Sequence, residues 1–206
     1  FNWGWQKQLK YNATDSARIW KSNKKLFEET IPFLLHKIQP DVAYWPSSPS
    51  IGWGHPEALR SGDVHYWGVW WGNEPFSNYV THTGRFMTEY GFQSLPSMAS
   101  LQKFIPKDSL FLLSSPLKTH QKHPVGFETI NTYMTRVMTA PSSLDYYSFA
   151  SQCIQADGMA TAIEAHRRNK PYCMGTLYWQ LNDCWPVTSW SSMDYYGAWK
   201  KFHYDL

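Results

Sequence analysis

Arg85-Phe86-Met87-Thr88-Glu89-Tyr90-Gly91 is the stretch that decides the fold: a short apolar and aromatic run, carrying one acid near its end and closed by glycine, predicts a buried strand. Upstream, Val64-His65-Tyr66-Trp67-Gly68-Val69-Trp70 predicts a second strand, and Asp41-Val42-Ala43-Tyr44-Trp45 a third that ends at the rigid loop Pro46-Ser47-Ser48-Pro49. Downstream, Cys173 to Leu181 predicts a fourth, with Trp179-Gln180-Leu181-Asn182-Asp183 at its C-terminal end. Helical spacing fills the intervals. Leu26, Phe27, Ile31, Leu34, Leu35 and Ile38 recur at helical period between Ser22 and Ile38, where Pro32 must kink the helix or start a new one. Ser97 is placed to cap a short helix through Phe104, and Ser142 with Asp145 resembles a capping box ahead of the stripe Tyr147, Ala150, Ile154, Gly158, Ala162, running toward Arg168. Residues 106–141 carry four prolines and read as loop-rich.

Short strands separated by helix-compatible segments predict parallel βα units and an α/β fold. A complete (β/α)8 TIM barrel takes about 250 residues, so four strands in 206 residues predict the C-terminal half of one, about strands 5 to 8, with long loops. Barrel chemistry sits at the C-terminal strand ends, where Glu89, Tyr66 and Trp179 fall.

Composition narrows the function. Hydrophobic residues make up 43% and charged residues 17% of the chain, the balance of a globular domain. No run approaches the roughly 20 apolar residues of a membrane span. The net charge of +3 is scattered, its densest group being Lys21, Lys24 and Lys25; this reads as a solvated helix face, because nucleic-acid binding needs a sustained basic track. Three cysteines without a CxxC spacing indicate neither a disulfide framework nor a zinc site. Asn12-Ala13-Thr14 fits a glycosylation sequon, too short a pattern to decide anything about secretion. The 12 tryptophans are the unusual number. Trp45, Trp53, Trp70, Trp71, Trp179 and Trp185 adjoin loop-forming residues, which points to an aromatic binding cleft.

His120 and His123 lack neighbouring ligand candidates, and no HExxH, Gly-x-Ser-x-Gly or phosphate loop is present. Neither a metal nor a cofactor is expected. Carboxylates remain, and glycoside hydrolysis uses two of them. Glu89, at the end of a buried strand among aromatics, is costly to bury unless it is paired or used. It is either a reactive acid or a structural one bound to a neighbour such as Arg85. Asp183 is the other acid at a comparable strand end.

Taken together, Tyr44-Trp45-Pro46-Ser47-Ser48-Pro49-Ser50, the run from Ser61 to Gly72, Thr88-Glu89-Tyr90-Gly91 and the run from Gly175 to Trp185 resemble the β-mannosidases of glycoside hydrolase family 2. That resemblance implies a retaining exo-β-mannosidase acting on terminal non-reducing β-mannose residues. Glu-Tyr-Gly is shared with β-galactosidase and β-glucuronidase relatives, which form the alternative; a non-catalytic sugar-binding protein is another. The resemblance makes Glu89 the nucleophile and Tyr66 the residue that hydrogen-bonds it, with His65 beside it as site residue or wall. Trp179 becomes the platform under the sugar, and Trp3 (with Trp5 nearby) a further site tryptophan. Asn182 and Asp183 either orient the Trp179 loop or serve structure alone. It further implies an acid/base Glu, the first half of the barrel and β-sandwich domains upstream of Phe1. On that expectation residues 1–206 are a partial catalytic barrel, inactive alone. A β-mannoside glycan is the implied partner, and the long 106–141 loop a candidate wall of an exo-type cleft.

Overall fold

The computed structural model describes residues 10–206. Its first layer is helical. Helix α1 (Ala13–Lys24) is started by Asn12, whose side-chain oxygen accepts the Asp15 N–H, satisfying one of the donors a helix start leaves free; Asn12 therefore serves as a cap. A π-helical turn (Lys25–Thr30) leads into α2 (Ile31–Ile38). Pro32 sits in the first turn of α2, where its missing N–H costs nothing. The apolar stripe of this region is real but outward: Leu26, Phe33, Leu34 and Ile38 are all exposed.

The sheet is small. Strand β1 (Val64–His65) pairs in parallel with β2 (Met87–Glu89), and β2 is bridged in parallel on its other side to Thr176. Backbone bonds continue that second pairing, from Met87 N–H to the Gly175 carbonyl and from Trp179 N–H to the Tyr90 carbonyl. The order is thus β1, β2, then the 174–179 segment, all running the same way. Between β1 and β2 lies α3 (Asn78–Thr81). Between β2 and Thr176 lie α4 (Met98–Leu101), a 3₁₀ turn (Lys107–Ser109), α5 (Ser115–Thr119), α6 (Gly126–Thr135) and the long α7 (Leu144–Arg168). Helix α8 (Lys201–Asp205) closes the chain. Parallel segments joined through helices make the chain α/β.

Several expectations change. The four anticipated strands reduce, among the described residues, to two strands and one bridge, so no half-barrel of four strands is displayed. Residues 42–45 pair with no strand, and Val42 and Trp45 are exposed. The expected strand 64–70 stops after His65 because the chain turns: Trp71 N–H bonds the Trp67 carbonyl and Glu74 N–H that of Gly68. The stretch read as loop holds α5 and α6. Pro116 lies in the first turn of α5, so it starts a helix there.

Helix α7 confirms its reading. Ala150, Ile154, Gly158 and Ala162 are buried along one side, and a Cβ on Gly158 would lie 2.6 Å from the Phe76 ring. The core gathers Tyr79, Met87, Tyr90, Phe92, Ile130, Met134 and Met159. It packs behind β2 and fixes where that strand ends. Among the described residues no helix is long and apolar enough to cross a membrane, and the three cysteines are free.

Candidate active site

Glu89 ends β2 with its side chain one-fifth exposed. Strand geometry accounts for its neighbours: Asp63 and His65 are two residues apart and share a face, while Val64 points into the core. The pairing sets His65 opposite Glu89. His65 Nδ1 lies 2.5 Å from Glu89 Oε2, and Trp67 Nε1–H donates to the same oxygen at 3.4 Å. Among the described residues Oε1 carries no such bond. One carboxylate oxygen is therefore held by two groups, and the other carries no hydrogen bond or ion pair among the described residues. Arg85 is not the partner of Glu89; its guanidinium lies over the Tyr172 ring at 5.7 Å.

Tyr66 is placed differently from the expectation. Its hydroxyl donates to Glu74 Oε2, and Asn78 Nδ2–H donates to that oxygen at 2.8 Å. The side chain of Tyr66 stacks on His82, and it meets Glu89 through the backbone, Tyr66 N–H to the Glu89 carbonyl at 2.8 Å. Alternation along the strand explains this: residues 65 and 66 face opposite ways, so when His65 reaches the carboxylate, Tyr66 cannot.

Two further carboxylates flank the site. Burial pushes Asp63 upward, but hydrogen bonds from Ser48 and Thr88 and the field of His65 outweigh it and hold its carboxyl below the usual value. Glu74 is likewise raised by burial and more than compensated by Tyr66, Asn78 and His82, ending below its usual value. Both are thus anions over the neutral range, unsuited to give up a proton. A cavity of about 340 Å³ opens beside them, lined by Trp53, His55, His65, Tyr66, Glu74 and His82.

On the far side of β2, Trp179 is held by its backbone N–H on the Tyr90 carbonyl, and the residue is 43% exposed. Gly91 permits this approach, since a Cβ there would collide with the Trp179 carbonyl oxygen. The loop beyond is pinned by Asp183, whose side chain is fully buried. Its Oδ2 accepts from Ser189 Oγ at 2.7 Å, and its Oδ1 accepts from Gln180 Nε2 at 3.1 Å and faces Lys122 Nζ at 3.5 Å. Gln180 Nε2 also donates to the Asn182 carbonyl at 2.5 Å. Both oxygens of Asp183 are thus engaged within the protein, and Asn182 contributes its backbone while its side chain is exposed. Of the tryptophans assigned to a cleft, Trp70 is core, packed edge-on against Phe92 and Trp190, whereas Trp45, Trp71 and Trp179 are exposed. Trp3 and Trp5 lie outside the described residues.

Sequence reasoning gave no role to Ser48, Asp63, Trp67, Glu74 or Thr88. Asp63 had a signal in its i, i+2 relation to His65. Ser48, in a loop, had none.

No family profile matches the chain. The chain is 32% identical over 179 residues to β-mannosidase B of Aspergillus flavus, an alignment covering 83% of this chain and 21% of that protein. It is 31% identical over 204 residues to β-mannosidase B of Emericella nidulans, covering 93% and 24%. The crystal structure of a β-D-mannosidase from Dictyoglomus thermophilum superposes with a TM-score of 0.83 at 35% identity, covering 88% of this chain and 22% of that one. An exo-chitosanase of Amycolatopsis orientalis, at 18% identity and a TM-score of 0.55 over 64% of this chain and 18% of that one, shares fold alone. The chain spans about a fifth to a quarter of the length of the curated relatives it matches.

Proposed function

Because this chain is related in sequence and fold to part of the β-mannosidases, we propose that it carries the nucleophile half of a retaining glycoside hydrolase site that removes terminal β-mannose. The parallel order of β1, β2 and the 174–179 segment supports reading the chain as the C-terminal part of a (β/α)8 barrel. Glu89 then stands at a C-terminal strand end, where barrel enzymes keep their chemistry.

The observation that carries the assignment is the asymmetric setting of Glu89, with Oε2 held by His65 and Trp67 and Oε1 left unbonded among the described residues. In the first step Glu89 Oε1 bonds to the anomeric carbon as the bond to the leaving oxygen breaks, and that oxygen takes a proton from a general acid. In the second step water attacks the same carbon, its hydroxyl stays on the sugar, its proton goes to the acid's conjugate base, and Glu89 is released as a carboxylate. The acid is neither Asp63 nor Glu74, which stay ionised, nor Asp183, whose oxygens are already bonded. Trp179 supplies an exposed aromatic face for the sugar. The 106–141 stretch is tied to the loop beyond Trp179, through Thr188 N–H on the His120 carbonyl at 2.7 Å, and is proposed as a wall that limits the cleft to a terminal residue.

The test is selectivity in the enzyme expressed from its complete reading frame. An aryl β-mannoside should be hydrolysed at least about a hundredfold faster than the β-glucoside or β-galactoside, which requires about 2.7 kcal/mol of differential transition-state binding. Equal rates on all three would move the assignment to a different exo-glycosidase.

A further inference from the structure

Behind Glu89 the hydrogen bonds form a chain whose protons can be counted. Asp63 Oδ2 accepts from Ser48 Oγ at 2.5 Å and from Thr88 Oγ1 at 2.7 Å. A serine hydroxyl has one proton, and Ser48 has spent it on Asp63. What Ser48 offers His65 Nε2, 3.1 Å away, is therefore a lone pair, so Nε2 must carry hydrogen. On the other side of the ring, Nδ1 lies 2.5 Å from Glu89 Oε2, a contact between two acceptors unless a proton lies between them. An anionic Glu89, as a nucleophile must be, then requires His65 to hold both ring protons.

We propose that Ser48 and Asp63 are positioning residues of the glycosidase reaction: by committing both nitrogens of His65 as donors, they keep a fixed cation against Glu89 Oε2. This rests on Glu89 being the nucleophile. The groups facing His65 are Asp63, with Oδ2 at 3.9 Å from Nε2, and Glu89. Tyr66, Glu74, His55 and His82 line the same cavity, but Glu74 is already engaged by Tyr66 and Asn78.

The consequence differs between the two chemical steps. When Glu89 attacks, its charge is consumed, and a neighbouring cation gives little net help. When the glycosyl ester is cleaved, the carbon–Oε1 bond breaks, the electron pair returns to the carboxyl group, and the cation stabilises the carboxylate as it reforms. Without Ser48 the Nε2 proton loses its fixed acceptor, His65 is free to keep a single proton, and departure of Glu89 slows.

A 2-fluoro mannosyl fluoride separates the steps, because inactivation measures ester formation and recovery after removal of the reagent measures ester cleavage. In the enzyme expressed from its complete reading frame, Ser48→Ala should reactivate about tenfold more slowly, equivalent to about 1.4 kcal/mol of lost transition-state stabilisation, with inactivation changed less than about threefold. Ser48→Thr, which keeps the hydroxyl, should restore the reactivation rate. Asp63→Asn should slow the same step, giving a second variant should Ser48→Ala not fold. Unchanged reactivation in a folded Ser48→Ala or Asp63→Asn enzyme, or an equal fall in both rates without rescue by threonine, overturns the relay. Peptide mapping of the trapped enzyme keeps the two readings apart: label on a residue other than Glu89 refutes the nucleophile assignment itself, whereas label on Glu89 with unaltered reactivation refutes the relay alone.

Discussion

Replacing Asp183 by alanine discriminates most cleanly between a structural acid and a catalytic one. The side chain is fully buried and accepts from Ser189 Oγ at 2.7 Å and from Gln180 Nε2 at 3.1 Å, with Lys122 Nζ 3.5 Å away. Neither donor goes unpaired, because Ser189 Oγ also reaches Ser191 Oγ and Gln180 Nε2 also reaches the Asn182 carbonyl, so together they add only about 1 kcal/mol, the low end for a lost buried bond. Breaking a buried ion pair costs about 3–5 kcal/mol, less here because Lys122 keeps 27% of its side chain exposed and can turn to water. The sum, about 3–5 kcal/mol, is a large part of the roughly 5–15 kcal/mol that holds a domain together. Over a segment of this size it corresponds to a fall of roughly 6–20 °C in the transition temperature. The assay is thermal inactivation of the enzyme beside its kcat on an aryl β-mannoside at a temperature where the variant stays folded. The expected result is a lowered midpoint with kcat within about tenfold of the parent, since Asp183 touches no reacting atom in this account. An unchanged midpoint with kcat reduced by about 10²–10⁴, the signature of a lost general acid, would refute the reasoning and make Asp183 the second carboxyl.

Two further outcomes are expected. Burial lowers His166 to about 4, so it folds neutral and the unfolded chain takes up its proton more readily; the stability this gives is full above about 6.5 and fades as pH falls toward 4, a change of about 3 kcal/mol. His166→Gln should flatten the loss of melting temperature between pH 7 and 4.5, and equal slopes in parent and variant would contradict the assignment. Trp179→Ala should lower kcat/KM for an aryl β-mannoside about tenfold or more by removing the stacking face while leaving the melt nearly unchanged, because the residue is 43% exposed; a destabilised variant with normal kcat/KM would make Trp179 a packing residue.

What the sequence disclosed depended on how local the controlling contacts are. Helix α7 was legible because its buried stripe repeats along one element, and the strand-end position of Glu89 because a single acid ends an apolar run. Pro32 marked the start of α2. Helix α6 was hidden by the prolines around it, although none lies inside it. The strands were overestimated because strand formation needs a partner, and residues 42–45 and 67–70 have none even though their composition suits one. The resemblance set Tyr66 against the Glu89 carboxylate, but its hydroxyl went to Glu74, eight residues onward, through a turn no pattern announced. Ser48 and Asp63 meet His65 and Thr88 across separations of 17 and 25 residues, which only the folded chain brings together. The split among the tryptophans has the same origin: Trp70 and Trp71 are adjacent in sequence, one core and one exposed, by the turn they occupy.

The central claim is that Glu89 forms the covalent bond to the sugar. It is tested by treating the enzyme, expressed from its complete reading frame, with a 2-fluoro mannosyl fluoride, digesting it, and sequencing the labelled peptide by mass spectrometry. The expected result is one added fluoromannosyl group, carried on Glu89 within the Phe86–Phe92 segment, with activity lost in step with labelling. A label on Asp63, Glu74 or Asp183, or complete inactivation with Glu89 unmodified, would contradict it.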